Sequence, residues 1–370
     1  MSSTHGFRHP RLVFWETTAG CNLRCVHCRR LDVADRLTPL DLSTAEAEAM
    51  IDQLREIGRP VLILSGGEAL MRPDIYHLAD YARAQEVPVA LATNGTLVDG
   101  TAARRIAESG IRRVAISFDG ADADTHDRFR GAAGSFSAAL EGAAALRARG
   151  VDVQVNTTVA KHNSDQLDAM IRLVNEIGAV GLHLFLLVPV GCGAVIADDQ
   201  MISAEEYEAT LNWLYDTQLA SPDLELRATC APHYQRVVRM RGAAEGASEA
   251  GPVGTLGSAR GATHRRGSAT GCLAGTAVAF VSHEGRVFPC GYFPVAAGSI
   301  RRESFASIWN DSALFARLRN PESVGGKCGA CAFRYACGGC RARAYGVTGD
   351  YLAEEPYCVH DPVAAGGSRL

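Results

Sequence analysis

Three cysteines, Cys21, Cys25 and Cys28, stand in the string Cys-Asn-Leu-Arg-Cys-Val-His-Cys just after the apolar run Leu12–Trp15. Thiolates spaced C-x3-C-x2-C can close on three corners of one iron-sulfur cube, and no fourth cysteine lies nearby to take the last iron. An iron left open in this way can bind a ligand and pass it an electron. The other reading of such a triplet is a structural zinc knuckle, although zinc sites usually pair one C-x2-C with a second or with two histidines.

The chain of 370 residues holds twelve cysteines: these three, Cys192 and Cys230 singly, and seven between Cys272 and Cys358. The first ten residues are polar, with His5, Arg8 and His9 and no apolar core, so no secretory signal is expected. That makes the chain cytoplasmic in expectation, where thiols stay reduced and serve as ligands more readily than as disulfides. Clustering at both ends points to two separate metal regions. No run of about 18 apolar residues is present to span a membrane. A formal charge of -4 and a pI near 6.3 offer nucleic acid no electrostatic footing.

The elements that must position these residues follow from hydrophobic periodicity. From residue 12 to about 190, Val/Ile/Leu-rich runs alternate with amphipathic segments, the pattern of βα units around a parallel sheet. Strands are predicted at Leu12–Glu16, Val61–Ser65, Pro88–Thr93, Arg113–Ser117, Val151–Val159 and Leu182–Val188. Ser43 and Glu46 form a capping box for a helix whose Ala47, Met50, Ile51 and Leu54 share one face. Ser203 with Glu206 starts another, and further helices are expected at Asp74–Ala84, Thr101–Glu108, Ser137–Arg149 and Asp165–Ile177. Six such units make a partial (β/α)6 barrel, an α/β fold whose chemistry belongs at the C-terminal strand ends. The cysteine triplet falls just past the first strand. The barrel is expected over residues 10–220, a connector with a flexible Gly/Ala-rich insertion (Gly242–Gly267) over 221–270, and a small cysteine-rich domain over 271–362, with a disordered tail.

After the second strand comes Ser65-Gly66-Gly67-Glu68. Two glycines let backbone approach a ligand closely, and the carboxylate can accept from an ammonium group; alone, such a turn is also ordinary punctuation. Behind the cysteine triplet it resembles the motif with which radical S-adenosylmethionine (SAM) enzymes bind the amino group of SAM, although Ala69 stands where that family often has proline. The resemblance implies that Cys21, Cys25 and Cys28 hold a 4Fe-4S cluster whose open iron chelates SAM. Thr93-Asn94-Gly95 and Ser117-Phe-Asp119-Gly120 end the third and fourth strands; Ser117 and Asp119 can hold ribose hydroxyls, and both strings also suit plain turns. By resemblance alone, Arg130 would balance the SAM carboxylate, Asn156 would meet the ribose or methionine part, and His27 would lie near adenine.

In the C-terminal region Cys272 and Cys290 precede the run Cys328-x2-Cys331-x5-Cys337-x2-Cys340, with Cys358 after it. Seven cysteines cannot fill two four-ligand cubes, so one full and one open site are expected. The run resembles the SPASM auxiliary-cluster domain, which implies two auxiliary 4Fe-4S clusters. By that analogy Cys328, Cys331, Cys337 and Cys358 close one cluster, and Cys272, Cys290 and Cys340 hold three irons of the other. Cys230, substrate or water can complete it; two zinc sites are the alternative.

Longer strings carry a narrower resemblance. Thr229-Cys-Ala-Pro-His233-Tyr, Ser282-His-Glu-Gly-Arg-Val-Phe-Pro-Cys290, Cys337-Gly-Gly-Cys-Arg341-Ala-Arg343 and Asp350-Tyr-Leu-Ala-Glu-Glu-Pro-Tyr-Cys358 are similar to the siroheme-pathway haem synthases, which decarboxylate Fe-coproporphyrin III, and to their relatives in haem d1 formation. The likeness spans roughly residues 10–362 apart from the insertion. It implies a tetrapyrrole substrate and a low-potential donor such as flavodoxin or ferredoxin. It also implies a 5′-deoxyadenosyl radical that takes a propionate β-hydrogen, loss of CO2 to leave a vinyl group, and an auxiliary cluster that accepts the surplus electron. Arg341 and Arg343 can pair with substrate carboxylates or be solvated surface groups; His233 can anchor a propionate, face the porphyrin iron or be structural. Two rivals remain at this stage: a radical SAM maturase of a ribosomal peptide, and a non-enzymatic iron-sulfur electron carrier.

Overall fold

A computed structural model describes residues 9–28, 38–244 and 271–362. The six expected strands form within one or two residues of their predicted bounds: β1 (Leu12–Glu16), β2 (Val61–Ser65), β3 (Val89–Thr93), β4 (Arg113–Ser117), β5 (Asp152–Val159) and β6 (Gly181–Leu186). Between them run α1 (Thr44–Glu56), α2 (Ile75–Ala84), α3 (Gly100–Glu108), α4 (Ala123–Arg130), α5 (Ser135–Arg147) and α6 (Leu167–Glu176). Both capping boxes are present: at α1 the Ser43 hydroxyl accepts from Glu46 N while Glu46 Oε2 accepts from Ser43 N, and Ser203 and Glu206 do the same for α7 (Ala204–Ala220).

Alternate strand residues point to opposite faces, so Val13, Trp15, Leu62, Leu64, Val114 and Ile116 are buried together with helix residues such as Met50, Ile51 and Leu54. Burying each large apolar side chain contributes roughly 1.5–3 kcal/mol. The intervening strand residues, Ser65 and Ser117 among them, are half-buried on the other face, which is the one left for a ligand.

The sheet is wider than six strands. With β7 (Glu225–Thr229), β8 (Val278–Val281), β9 (Arg286–Phe288) and β10 (Gly298–Ser299), its order is β10-β9-β8-β1-β2-β3-β4-β5-β6-β7, parallel from β8 through β7. β7 lies in what reads as connector, because its residues are mostly polar: Glu225 pairs with Arg113, His183 and Arg227. On the far edge β8 runs parallel to β1, and β9 and β10 continue antiparallel. The cysteine-rich region therefore extends the barrel's own sheet. The expected flexible insertion starts inside a helix, since Gly242–Ala244 close α8 (Tyr234–Ala244). Residues 245–267 of that stretch, and the tail after Pro362, lie outside the described residues.

Candidate functional site

The cysteine loop leaves the C-terminal end of β1 and is held by the turn after β2. Thr17 N and Oγ1 both donate to Ser65 O, Gly67 N donates to Thr18 O, and Glu68 N donates to Gly20 O. A Cβ on Gly67 would stand 2.2 Å from Gly20 O, so only glycine allows this approach. Gly66 and Gly67 thus bring backbone against the cysteine loop, where sequence reasoning expects a ligand. Glu68 is also turned inward. Its buried carboxylate accepts from Leu70 N at 3.1 Å, Thr93 Oγ1 at 2.8 Å and Asn94 N at 2.8 Å, filling three of about four acceptor positions. Burial raises its pKa against those bonds. The expected ammonium acceptor is first of all a clamp between β2 and β3. Asn94 likewise serves the loop: its Nδ2 donates to Asn22 Oδ1 at 2.8 Å, and its Oδ1 accepts from Thr96.

Asp119, expected at the ribose, is committed within the protein. Its carboxylate is fully buried, with Oδ2 2.6 Å from Arg130 Nη2 and Oδ1 accepting from Thr158 N at 2.7 Å. Burial alone would raise its pKa, but the Arg130 charge, His27 and the Thr158 N–H together outweigh it and hold the carboxyl below its usual value. Arg130, expected at a ligand carboxylate, closes α4 with Nη1 3.8 Å from Cys25 Sγ, so it faces a loop cysteine and not open space. Ser117 and Asn156 sit opposite each other in the β4–β5 register, both half-buried, and Asn156 Oδ1 accepts from Gln154 Nε2. His27 stacks on Phe129 at 4.3 Å, and Phe129 on His162 at 3.7 Å. Burial pushes the His27 pKa down to about 4, so the ring is neutral. Phe129 and His162, with Val26, also border a cleft of about 320 Å³ beside the loop. Neither residue carries a sequence signal of its own, because the stack joins three separate segments.

Two groups of four thiols lie beyond the barrel. Cys328, Cys331, Cys337 and Cys358 line one cavity, together with His233 and His360. In the other group, Cys230 hydrogen-bonds to Cys340, and the buried Cys290 thiol is pushed up by desolvation and by Cys272 and Cys340. Cys230 follows β7 with φ at 60°, a left-handed conformation that costs a non-glycine residue on the order of 1–3 kcal/mol. Cys230, one of the expected ways to complete the second site, lies with Cys272, Cys290 and Cys340, so the eight thiols are gathered four and four. Cys21 shows what such groups need. Burial, then Glu68, Cys25 and Cys28, push its pKa up to about 11, so thiolates there require a compensating cation such as iron. Among the described residues, no three His, Cys, Asp or Glu side chains converge tightly enough for one metal ion; a cube, with its irons at separate corners, spaces its ligands more widely.

A family model described as the radical SAM superfamily matches residues 15–174, and an iron-sulfur cluster-binding (SPASM) domain matches residues 272–332. The AdoMet-dependent heme synthase of Methanosarcina barkeri is 45% identical over 354 residues, 95% of this chain and 97% of that protein. The chain belongs to the radical SAM family. It is therefore an enzyme, and its cofactors are 4Fe-4S clusters and SAM; the electron-carrier reading falls away. The mycofactocin maturase MftC of Mycobacterium ulcerans is 32% identical over 361 residues, 96% of this chain and 89% of that one. Streptococcus suis SuiB bound to S-adenosylmethionine shares the fold, with a TM-score of 0.73 at 14% identity over 96% of this chain and 79% of that one.

For this radical SAM enzyme, two substrate residues expected from sequence are corrected. Arg343 is fully buried and donates to Cys230 O at 2.8 Å, Leu186 O at 3.0 Å and Leu187 O at 3.3 Å, with Glu355 at 3.5 Å. Arg341 is buried too, donating to Gly339 O, Tyr351 O and Ala353 O. Neither is solvated, because the Cys-Gly-Gly-Cys turn feeds both into the interior at the start of α9 (Arg341–Thr348), where Arg341 Nη2 and Arg343 Nε have no hydrogen-bond partner. His233 is fully buried within the first thiol group's cavity. A residue that sequence reasoning leaves without a role, His283, holds the two regions together. Its Nδ1 lies 2.8 Å from Asp41 Oδ1, which also accepts from Ala19 N in the cysteine loop. Among the described residues, no helix is long and apolar enough to cross a membrane.

Proposed function

We propose that this radical SAM enzyme acts on a tetrapyrrole, converting propionate side chains of Fe-coproporphyrin III to vinyl groups in the formation of haem b. What supports the reading is the 45% identity along nearly the whole length of the Methanosarcina heme synthase, against 32% for the mycofactocin maturase. Cys21, Cys25 and Cys28 would hold the SAM-binding cluster; Cys328, Cys331, Cys337 and Cys358 one auxiliary cluster; and Cys230, Cys272, Cys290 and Cys340 the other. When bound, the first cluster and SAM supply a 5′-deoxyadenosyl radical once a low-potential flavodoxin or ferredoxin has delivered an electron.

The protein's part is placement. Glu68, Asn94 and the Asp119–Arg130 pair fix the cysteine loop at the strand ends, and Ser117 with Asn156 offers adjacent polar groups on the ligand face. In the substrate, loss of a β-hydrogen atom and of CO2 leaves a vinyl group and one surplus electron. The two auxiliary thiol groups give the chain somewhere to send it.

Anaerobic incubation of the reconstituted protein with SAM, reductant and Fe-coproporphyrin III tests this, read by mass spectrometry. One or two equivalents of HCOOH should be lost from the porphyrin. An unchanged porphyrin beside continued 5′-deoxyadenosine formation would sink the proposal and turn attention to a peptide substrate. In Cys272→Ala or Cys290→Ala, SAM cleavage should persist while vinyl formation stops; decarboxylation at the parent rate in those variants would remove the auxiliary electron acceptor from the scheme.

A further inference from the structure

His233 is a buried polar side chain without a hydrogen-bond partner. It is fully enclosed, yet neither ring nitrogen has a hydrogen-bond partner. A neutral imidazole carries one N–H donor and one acceptor, and buried donors are nearly always satisfied. The ring is not loosely held: it stacks on Tyr207 at 4.6 Å and 29°, and the Tyr207 hydroxyl donates to Cys230 O. What its edge borders is the cavity of Cys328, Cys331, Cys337 and Cys358.

Several of the other polar groups around that cavity are committed, although Arg236 Nε also lacks a hydrogen-bond partner and His360 lines the cavity too. Lys327 Nζ donates to Cys358 O at 2.6 Å, Arg236 pairs with Glu208, and the Glu355 carboxylate accepts from Cys340 N at 2.7 Å. The acceptors still to be supplied there are sulfurs. Hydrogen bonds to cluster sulfurs stabilise the reduced, more negative state and so raise the reduction potential.

We propose that His233 donates an N–H···S hydrogen bond to the 4Fe-4S cluster held by Cys328, Cys331, Cys337 and Cys358, raising that cluster's potential so that it takes up an electron more readily. His233 is then a positioning and tuning residue, one layer outside the ligands. The inference rests on the assignment of those four cysteines to one cluster.

The test is an EPR-monitored redox titration of the anaerobically reconstituted full chain, with iron and sulfide counted in each variant. Cys358→Ala identifies which signal belongs to this cluster. In H233L, with iron and sulfide at parent levels, the midpoint of that signal should move to more negative potential. An amide donor, in H233N or H233Q, should bring it back toward the parent value. An unchanged midpoint in a fully loaded H233L, while C358A still loses its signal, overturns the hydrogen bond alone. Loss of iron in H233L that neither amide restores also overturns it, as it would mark a ligand or a packing role. A shift confined to a signal that survives in C358A overturns the ligand set and the inference with it.

Discussion

Exchanging Asp119 for Asn should destabilise the protein by about 3–5 kcal/mol, the usual consequence of leaving a buried charge without its partner. The shape is kept and only the charge goes. Arg130 is then enclosed with its guanidinium facing Cys25 and no carboxylate behind it. Because Arg130 touches a loop cysteine, the damage should reach the SAM-binding cluster, and iron retained after gel filtration should fall along with the urea midpoint. The double variant D119N/R130M removes the stranded charge and should recover part of the loss. A D119N protein within about 1 kcal/mol of the parent, with full iron, would show that the pair does not hold the site together.

The sign of the pH dependence follows from the depressed Asp119 pKa. A carboxylate whose folded pKa lies below its unfolded value of about 4 contributes its full stability above that value and loses it as pH falls through the folded one. The gap between parent and D119N should therefore be widest at neutral pH and narrow on acidification below about pH 4.

Much of this frame can be read from local pattern. Val61-Leu-Ile-Leu-Ser65 and Arg113-Val-Ala-Ile-Ser117 form strands where expected because alternating burial suits β-branched and leucine side chains at every second position. Glu225-Leu-Arg-Ala-Thr229 escapes that pattern, since its polar residues are satisfied by Arg113 and His183 on other strands. The same limit governs the site. Cysteine spacing marks the metal regions, but Cys230 joins Cys340 across 110 residues of chain, and nothing near Thr229-Cys230-Ala reports the partnership. Arg341 and Arg343 mislead for the opposite reason: arginines are seldom buried, so substrate or solvent is the natural guess until the carbonyls around them are seen.

Those carbonyls carry the second large effect. Arg343→Met should leave Glu355 as an enclosed carboxylate and take the donor from Leu186 O, Leu187 O and Cys230 O, besides removing the guanidinium stacked 4.8 Å above the Tyr207 ring. A broken buried pair costs about 3–5 kcal/mol, and each stranded carbonyl adds on the order of 1 kcal/mol or more. That is much of the roughly 5–15 kcal/mol by which a folded domain is stable. R343M should therefore accumulate in the insoluble fraction or unfold at far lower urea than the parent. R343K keeps the charge but lacks the planar fork that reaches several carbonyls at once, so it should fall between the two. The consequence extends past stability, because Glu355 joins the thiol groups: its N donates to Cys328 Sγ at 3.2 Å and its carboxylate accepts from Cys340 N at 2.7 Å. Slackening Arg343 should thus loosen both groups, and soluble R343K should reconstitute with less auxiliary iron while the Cys21–Cys28 cluster fills normally. An R343M protein that is soluble, fully loaded and within about 1 kcal/mol of the parent would show that the end of β6 and the two thiol groups are held together by something other than this side chain.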